Sequence, residues 1–170
     1  MPRKKTQVAE PVRVLLRHAD AGLKSEWPGP DDWRGLTELG HDQARAVVGM
    51  LCDLPIQRIL SSPSLRCRQT VVPLARAREL DVEPLWQLGR NTEPVDVLAL
   101  LADPDTAAAV VCTHRETLQA VFSLLSWSGD AVARAGDPME KAAAWILRGT
   151  VGSERPARLE YLGSGAALPV

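Results

Sequence analysis

Lysine is scarce in this 170-residue chain: Lys4, Lys5, Lys24 and Lys141 are the only four, so 16 of the 20 basic residues are arginine. Cysteine is rarer still. Cys52, Cys67 and Cys112 stand apart with no C-x-x-C pair. That pattern excludes a disulfide framework and suits small buried thiols in a reducing cytoplasm. Long apolar runs are missing too: no stretch reaches the roughly 18 residues that a membrane helix needs. The opening, Met1–Glu10, is charged at Arg3, Lys4 and Lys5 but has no apolar core, so a frayed tail is expected and not a signal peptide. Neither charge dominates. The formal net charge of −1 provides no global field to attract nucleic acid or a membrane, and neither is expected as a partner.

What is present in excess is arginine, a planar and permanently charged fork that matches phosphate and carboxylate. A GC-rich codon preference is the plain explanation for most of these residues. Only arginines near a cleft carry functional weight.

Along the chain, short β-rich runs alternate with amphipathic helical stretches. Val12–Leu16 reads as a strand, apolar except for Arg13, and residues 20–33 read as a Pro- and Asp-containing loop. Thr37 is the expected N-cap of a helix to about Leu51, with Leu39, Ala44, Val47, Val48 and Leu51 at helical spacing. Arg58–Ser61 is a second strand. A helix then starts at Ser62-Pro63 and runs to about Leu80, kinked or shortened by Pro73. Val82–Leu85, Ala107–Thr113, Ala142–Leu147 and Arg158–Leu162 complete the strands, with helices over Pro94–Leu101 and Glu116–Leu125. This alternation predicts a three-layer α/β/α sandwich with a mostly parallel central sheet. One domain is expected over residues 11–165, with tails at 1–10 and 166–170. Trp86 and Trp145 are expected in the core, and Trp27 and Trp33 at the edge of a pocket.

In such sheets ligands gather beyond the carboxyl ends of the strands. The chain has only three histidines, and two of them fall at those ends. The first strand delivers Arg17-His18, the second Ser61-Ser62 with Arg66 one turn on, and the 107–113 strand delivers His114-Arg115. The third, His41, sits in the first turn of a helix and reads as structural. An imidazole among arginines suits an attack on phosphorus, with negative charge held by bidentate donors and a helix N-terminus. Buried structural histidines and a purely binding anion pocket remain the alternatives on placement alone. No His/Cys set has the spacing of a metal site, so no metal and no cofactor is expected.

Four segments then resemble one family in order and spacing. Leu16-Arg17-His18-Ala19 resembles the R-H-G/A motif of the histidine phosphatase superfamily, the phosphoglycerate-mutase-like proteins. Arg34-Gly35-Leu36-Thr37-Glu38-Leu39-Gly40 is similar to R-x-L-T-x-x-G. Residues 61–70, Ser61-Ser62-Pro63 through Arg66 to Gln69-Thr70, are similar to S-S-P-x-x-R-x-x-Q-T. Val111-Cys112-Thr113-His114 resembles the strand bearing the second histidine. The resemblance covers about residues 12–148, and it is nearest to the small bacterial phosphohistidine phosphatases and to the phosphatase half of two-domain Nudix hydrolases.

That resemblance implies a nucleophilic His18 that takes up the phosphoryl group, with Arg17, Arg66 and His114 completing the pocket. Arg34, Arg115 and Ser62 are further candidates for binding phosphate, Arg34 alternatively pairing with Asp31 or Asp32, and Ser62 alternatively capping a helix. The family's usual glutamate acid has no clear counterpart. Glu93 is the nearest candidate, although Glu93-Pro94 is also ordinary helix-start chemistry, and Asp20 is its rival. Substrates with good leaving groups need such an acid least. The implied function is a metal-independent phosphatase acting on a phosphohistidine-bearing protein or a small phosphorylated metabolite or nucleotide. A mutase and a non-catalytic phosphate-binding domain are the rival functions.

Overall fold

A computed structural model describes residues 10–128 and 139–165. The expected tails, apart from Glu10, and residues 129–138 lie outside the described residues. The elements in chain order are β1 (Val12–Arg17), α1 (Glu38–Met50), β2 (Arg58–Ser61), α2 (Leu65–Arg78), β3 (Val82–Pro84), α3 (Pro94–Ala102), β4 (Ala109–Thr113), α4 (Arg115–Ser128), β5 (Ala143–Arg148) and β6 (Arg158–Ser164).

The strands form one sheet in the order β3-β2-β4-β1-β5-β6. Pairings β3/β2, β2/β4 and β4/β1 are parallel, whereas β1/β5 and β5/β6 are antiparallel. The mostly parallel sheet is therefore as expected, with an antiparallel margin built from the last two strands. Central strands bury both faces, and alternate side chains enter different cores. Val14, Leu16, Ile59, Val110 and Cys112 pack with Val47 and Leu51 of α1 and with Cys67, Val71 and Leu74 of α2. Leu15, Leu60, Val111, Trp145 and Leu147 pack with Val97 and Leu101 of α3 and with Leu118, Val121 and Leu125 of α4. Two helices on each face make the three layers. Trp145 is fully buried there, its ring 5.1 Å from that of Phe122.

Several expectations need correction. Helix α2 begins at Leu65 and not at Ser62, and it ends at Arg78, where Glu79 adopts a left-handed conformation with φ of 54°. Pro73 neither ends nor shortens it, because Val71, Leu74 and Ala75 on either side of the proline are anchored in the core. Leu39 points to solvent, since the buried face at the start of α1 is taken by Gly40 and Gln43. Trp86 is 67% exposed, because its short turn, Trp86–Leu88, buries Leu88 instead. Cys52 lies exposed in the turn after α1, while Cys67 and Cys112 are buried.

The charged residue in β1 is resolved by its partners. Arg13 is buried and donates to Thr106 Oγ1 at 3.0 Å, the Asp103 carbonyl at 3.0 Å and the Gly149 carbonyl at 3.2 Å. These bonds offset the cost of burying a guanidinium. Arg13 thus secures one end of the strand, and Arg17 at the other end opens the functional site. Among the described residues, no helix is long and apolar enough to cross a membrane.

Candidate active site

The carboxyl ends of β1, β2 and β4 converge on a cleft of about 310 Å³ lined by His18, His114, Arg17, Arg34 and Arg66. The loop that carries His18 is fixed by the residues of the other segments. The His18 N–H donates to the Thr113 carbonyl at 3.1 Å, and the Asp20 carbonyl accepts from Thr37 N–H at 3.0 Å. Thr70 Oγ1 accepts from Ala19 N–H at 2.9 Å and donates to the Arg66 carbonyl at 2.7 Å. Gln43 Oε1 accepts from Asp20 N–H at 2.8 Å, and Gln69 Oε1 from Leu36 N–H at 2.8 Å. Gly40 belongs to the same joint: a Cβ there would collide with the Asp20 carbonyl. Segments distant in sequence thus share one function, which is to hold the turn after β1.

His18 is 6% exposed, and its Nδ1 lies 2.7 Å from the Ala19 carbonyl oxygen. A carbonyl only accepts, so Nδ1 carries the hydrogen and Nε2 keeps its lone pair. Burial, followed by the positive charges of Lys141, Arg66 and Arg17, depresses its pKa to about 3, despite the opposing Ala19 hydrogen bond. His18 is therefore neutral at ordinary pH.

The second imidazole has its ring centre 5.4 Å from the first, at 66°. His114 Nδ1 faces Arg66 Nη2 at 3.3 Å, and its Nε2 faces Ser62 Oγ at 2.9 Å. A guanidinium only donates, so Nδ1 accepts and Nε2–H donates to Ser62. Burial, reinforced by His18, Arg66 and Arg90, holds His114 neutral as well. Ser62 was expected to contact phosphate or cap a helix. Its fully buried hydroxyl holds His114 and also accepts from the N–H of Ser64, the N-cap of α2, at 3.3 Å, and it is absent from the cleft wall.

Arg34 is buried and lies on the cleft wall, yet it also makes the pairing foreseen as its alternative. Its Nε donates to Asp31 at 2.9 Å, and its Nη1 donates to the Ala21 and Gly22 carbonyls at 2.8 and 3.0 Å. Arg17, half-buried, donates to the Met139 carbonyl and lines the cleft, as does exposed Arg115 at the first turn of α4. Sequence reasoning missed Lys24, Arg90, Lys141 and Glu116 on this wall. No motif contains them, and Lys141 reaches the cleft only because β5 runs antiparallel beside β1.

The two candidate acids are not brought to His18. Glu93 is exposed at the start of α3 and lines a neighbouring cleft of about 640 Å³ with Trp86 and Asp96. It is the N-cap residue before Pro94, and it is absent from the wall of the His18 cleft, although the two clefts share Lys24 and Arg90. The Asp20 carboxylate accepts from Thr37 Oγ1 at 2.7 Å and from Gly22 N–H at 3.3 Å, so it secures the loop. Trp27 donates to the Pro30 carbonyl in the same loop and, like Trp33, is absent from the cleft wall. Among the described residues, no group of three His, Cys, Asp or Glu side chains is arranged to hold a metal ion.

Residues 14–89, which include His18, Arg34, Ser62 and Arg66, match the histidine phosphatase superfamily (branch 1). That match, over slightly less than half of the chain, supports the histidine phosphatase superfamily. The chain is 37% identical over 68 residues to an 8-oxo-(d)GTP phosphatase of Mycolicibacterium smegmatis, a match covering 40% of the chain and 20% of that protein. The chain therefore spans only a fifth of that curated relative. Its fold is similar to the protein histidine phosphatase SixA complexed with tungstate, with a TM-score of 0.72, 24% identity, and 93% and 99% of the two chains covered. A mycobacterial glucosyl-3-phosphoglycerate phosphatase has a TM-score of 0.63 at 20% identity, covering 91% of this chain and 99% of its own. At these identities the structural likeness establishes the fold.

Proposed function

We propose that the protein is a metal-independent phosphatase that works through a phosphohistidine on His18. The observation that carries this reading is the His18 tautomer: Nδ1 is tied to the Ala19 carbonyl, so an uncharged Nε2 lone pair is available in a cation-lined cleft. In the first step Nε2 attacks phosphorus, the N–P bond forms, and the bond to the leaving group breaks with its electron pair. The Nδ1–H bond to Ala19 then stabilises the positive charge that develops on the ring. Arg17, Arg66 and the N-terminus of α4 hold the three equatorial oxygens. A water next attacks the phosphoryl group, the N–P bond breaks, and inorganic phosphate is released with neutral His18 restored.

The substrate class follows from the proton supply. Glu93 lies in the neighbouring cleft and Asp20 is engaged by Thr37, so neither serves the leaving group. Such a site favours leaving groups that need little protonation, which supports a phosphohistidine-bearing protein or a phosphoanhydride such as a nucleotide. The resemblance to SixA and the partial match to the 8-oxo-(d)GTP phosphatase support those two substrate classes, respectively. Rapid quenching with radiolabelled substrate tests the reading. An acid-labile, alkali-stable label on wild-type protein and none on His18→Ala is expected; turnover without any trapped label at saturating substrate overturns it.

A further inference from the structure

Asp31 belongs to none of the four motif segments, yet three arginines of the His18 cleft meet on it. Its Oδ1 accepts from Arg34 Nε at 2.9 Å. Its Oδ2 accepts from Arg66 Nη2 at 3.1 Å and from Arg90 Nη1 at 2.6 Å. Its carbonyl oxygen accepts from Arg66 Nη1 at 2.7 Å as well. The side chain is 16% exposed, and the three guanidiniums come from the 34 position, from α2 and from the segment after β3. Arg66 and Arg90 share one carboxylate oxygen, and both line the cleft that contains His18 and His114.

Building on the phosphatase reading, we propose that Asp31 is a positioning residue that sets Arg66 and Arg90 for a phosphoryl dianion, and that Arg90 thereby belongs to the phosphate-binding set. Guanidiniums gathered in a partly buried cleft repel one another and would swing apart without a shared counterion. A phosphate needs them converged before it arrives, because ordering long side chains on binding costs affinity. Asp31, which lines the adjoining cleft and is absent from the wall of the His18 cleft, supplies that convergence. Its bonds go to the side chains that face the ligand and not to the hydrophobic core. Arg90 Nη2 also lies 3.8 Å from the carboxylate of Glu116, which shares the wall of the His18 cleft. Burial alone would raise the Asp31 carboxyl, but the Arg34 hydrogen bond and the charges of Arg66 and Arg34 bring it down to about 2. The clamp is therefore ionised at every working pH. Asparagine cannot replace it, since one oxygen would become an NH₂ donor pointing at guanidinium donors.

The test titrates inorganic phosphate into the full chain by calorimetry, with no turnover involved, and follows Tm in parallel. For Asp31→Asn the phosphate Kd should rise about tenfold or more, the loss expected when charge-assisted hydrogen bonds are removed. Arg90→Gln should weaken phosphate by about tenfold as well. A Kd for Asp31→Asn that is unchanged or tighter overturns the proposal, the tighter value showing a carboxylate that competes with phosphate for the arginines. A fall in Tm with unaltered Kd likewise overturns it, because that is the signature of a merely structural group. If Asp31→Asn does not fold, Asp31→Glu keeps the charge but displaces it, and a Kd within threefold of wild type is then the overturning result. The phosphatase reading fails separately, on the absence of a His18 phosphoenzyme in the wild type.

Discussion

Ser62 Oγ lies 2.9 Å from His114 Nε2, joining the end of β2 to the end of β4 inside the protein. The hydroxyl accepts from the imidazole and fixes which way the ring faces Arg66. Ser62→Ala removes that acceptor and leaves the buried N–H only the weak Cys67 sulfur at 3.7 Å. The expected outcome is a fall in kcat/KM of roughly tenfold, matching about 1.4 kcal/mol for one buried hydrogen bond. Steady-state kinetics on p-nitrophenyl phosphate provide the check; activity equal to wild type would show that Arg66 and Cys67 suffice to orient His114.

His18→Ala should lower turnover by at least about a thousandfold, as losing the nucleophile does when no other group replaces it. The fold should survive, since the Thr113 and Ala142 contacts of this residue are made by its backbone. Circular dichroism and turnover measured on the same sample decide the matter. Residual activity within tenfold of wild type removes His18 from the nucleophile role.

Chelator should leave the rate unchanged. The described residues offer no three-ligand group for a metal, whereas the His18 cleft is lined by guanidiniums that suit tetrahedral and trigonal oxyanions. Vanadate and phosphate should inhibit competitively. Activity lost in EDTA and restored by zinc or magnesium would contradict this.

No carboxylate is expected to act as a dedicated acid. Glu93→Gln and Asp20→Asn should slow alkyl and aryl phosphates by the same factor, because neither side chain lines the His18 cleft. Glu116→Gln, which alters the carboxylate that does line it, completes the set. A general acid typically contributes 10²–10⁴-fold and most for basic leaving groups. A leaving-group series with a steep slope confined to one of the three variants would identify that residue as the acid.

Stability should decline as pH falls below the ordinary histidine range. His18 is neutral in the folded protein, with its pKa lowered to about 3, and His114 is lowered likewise. A depressed histidine means that the unfolded chain takes up protons first, so folding free energy is full above about pH 6.5 and is lost as pH drops toward 3. Asp31, lowered to about 2, adds a second loss between about pH 4 and 2 by the same logic for a carboxylate. Denaturant midpoints at pH 7 and 5 test the first window. His18→Gln should lose less stability across that interval than wild type, and an equal loss would show that His18 is not held neutral.

Much of this protein follows from local pattern. Apolar runs such as Val110–Cys112 can only be strands buried on both faces. Amphipathic spacing in α1 and α4 provides the covering helices, and the residues just past each strand must then share one sheet end. Arg17, His18, Arg66 and His114 accordingly meet where the pattern places them. The motif threonine at 70 was legible as a marker but not as the clamp of the His18 loop, and neither was the hold of Gln69 on Leu36. Side-chain partners in irregular segments depend on chain that arrives from elsewhere. Ser62 finds His114 across 52 positions, and Asp31 rather than Asp32 collects Arg66 and Arg90 from 35 and 59 positions away. Trp86 turns outward for the same reason, since a short turn has room to bury only one of its ends. Periodicity determines which face of an element is apolar; it carries no information on which charged tips converge above the sheet, because long polar side chains are placed by electrostatics and contact in the assembled structure.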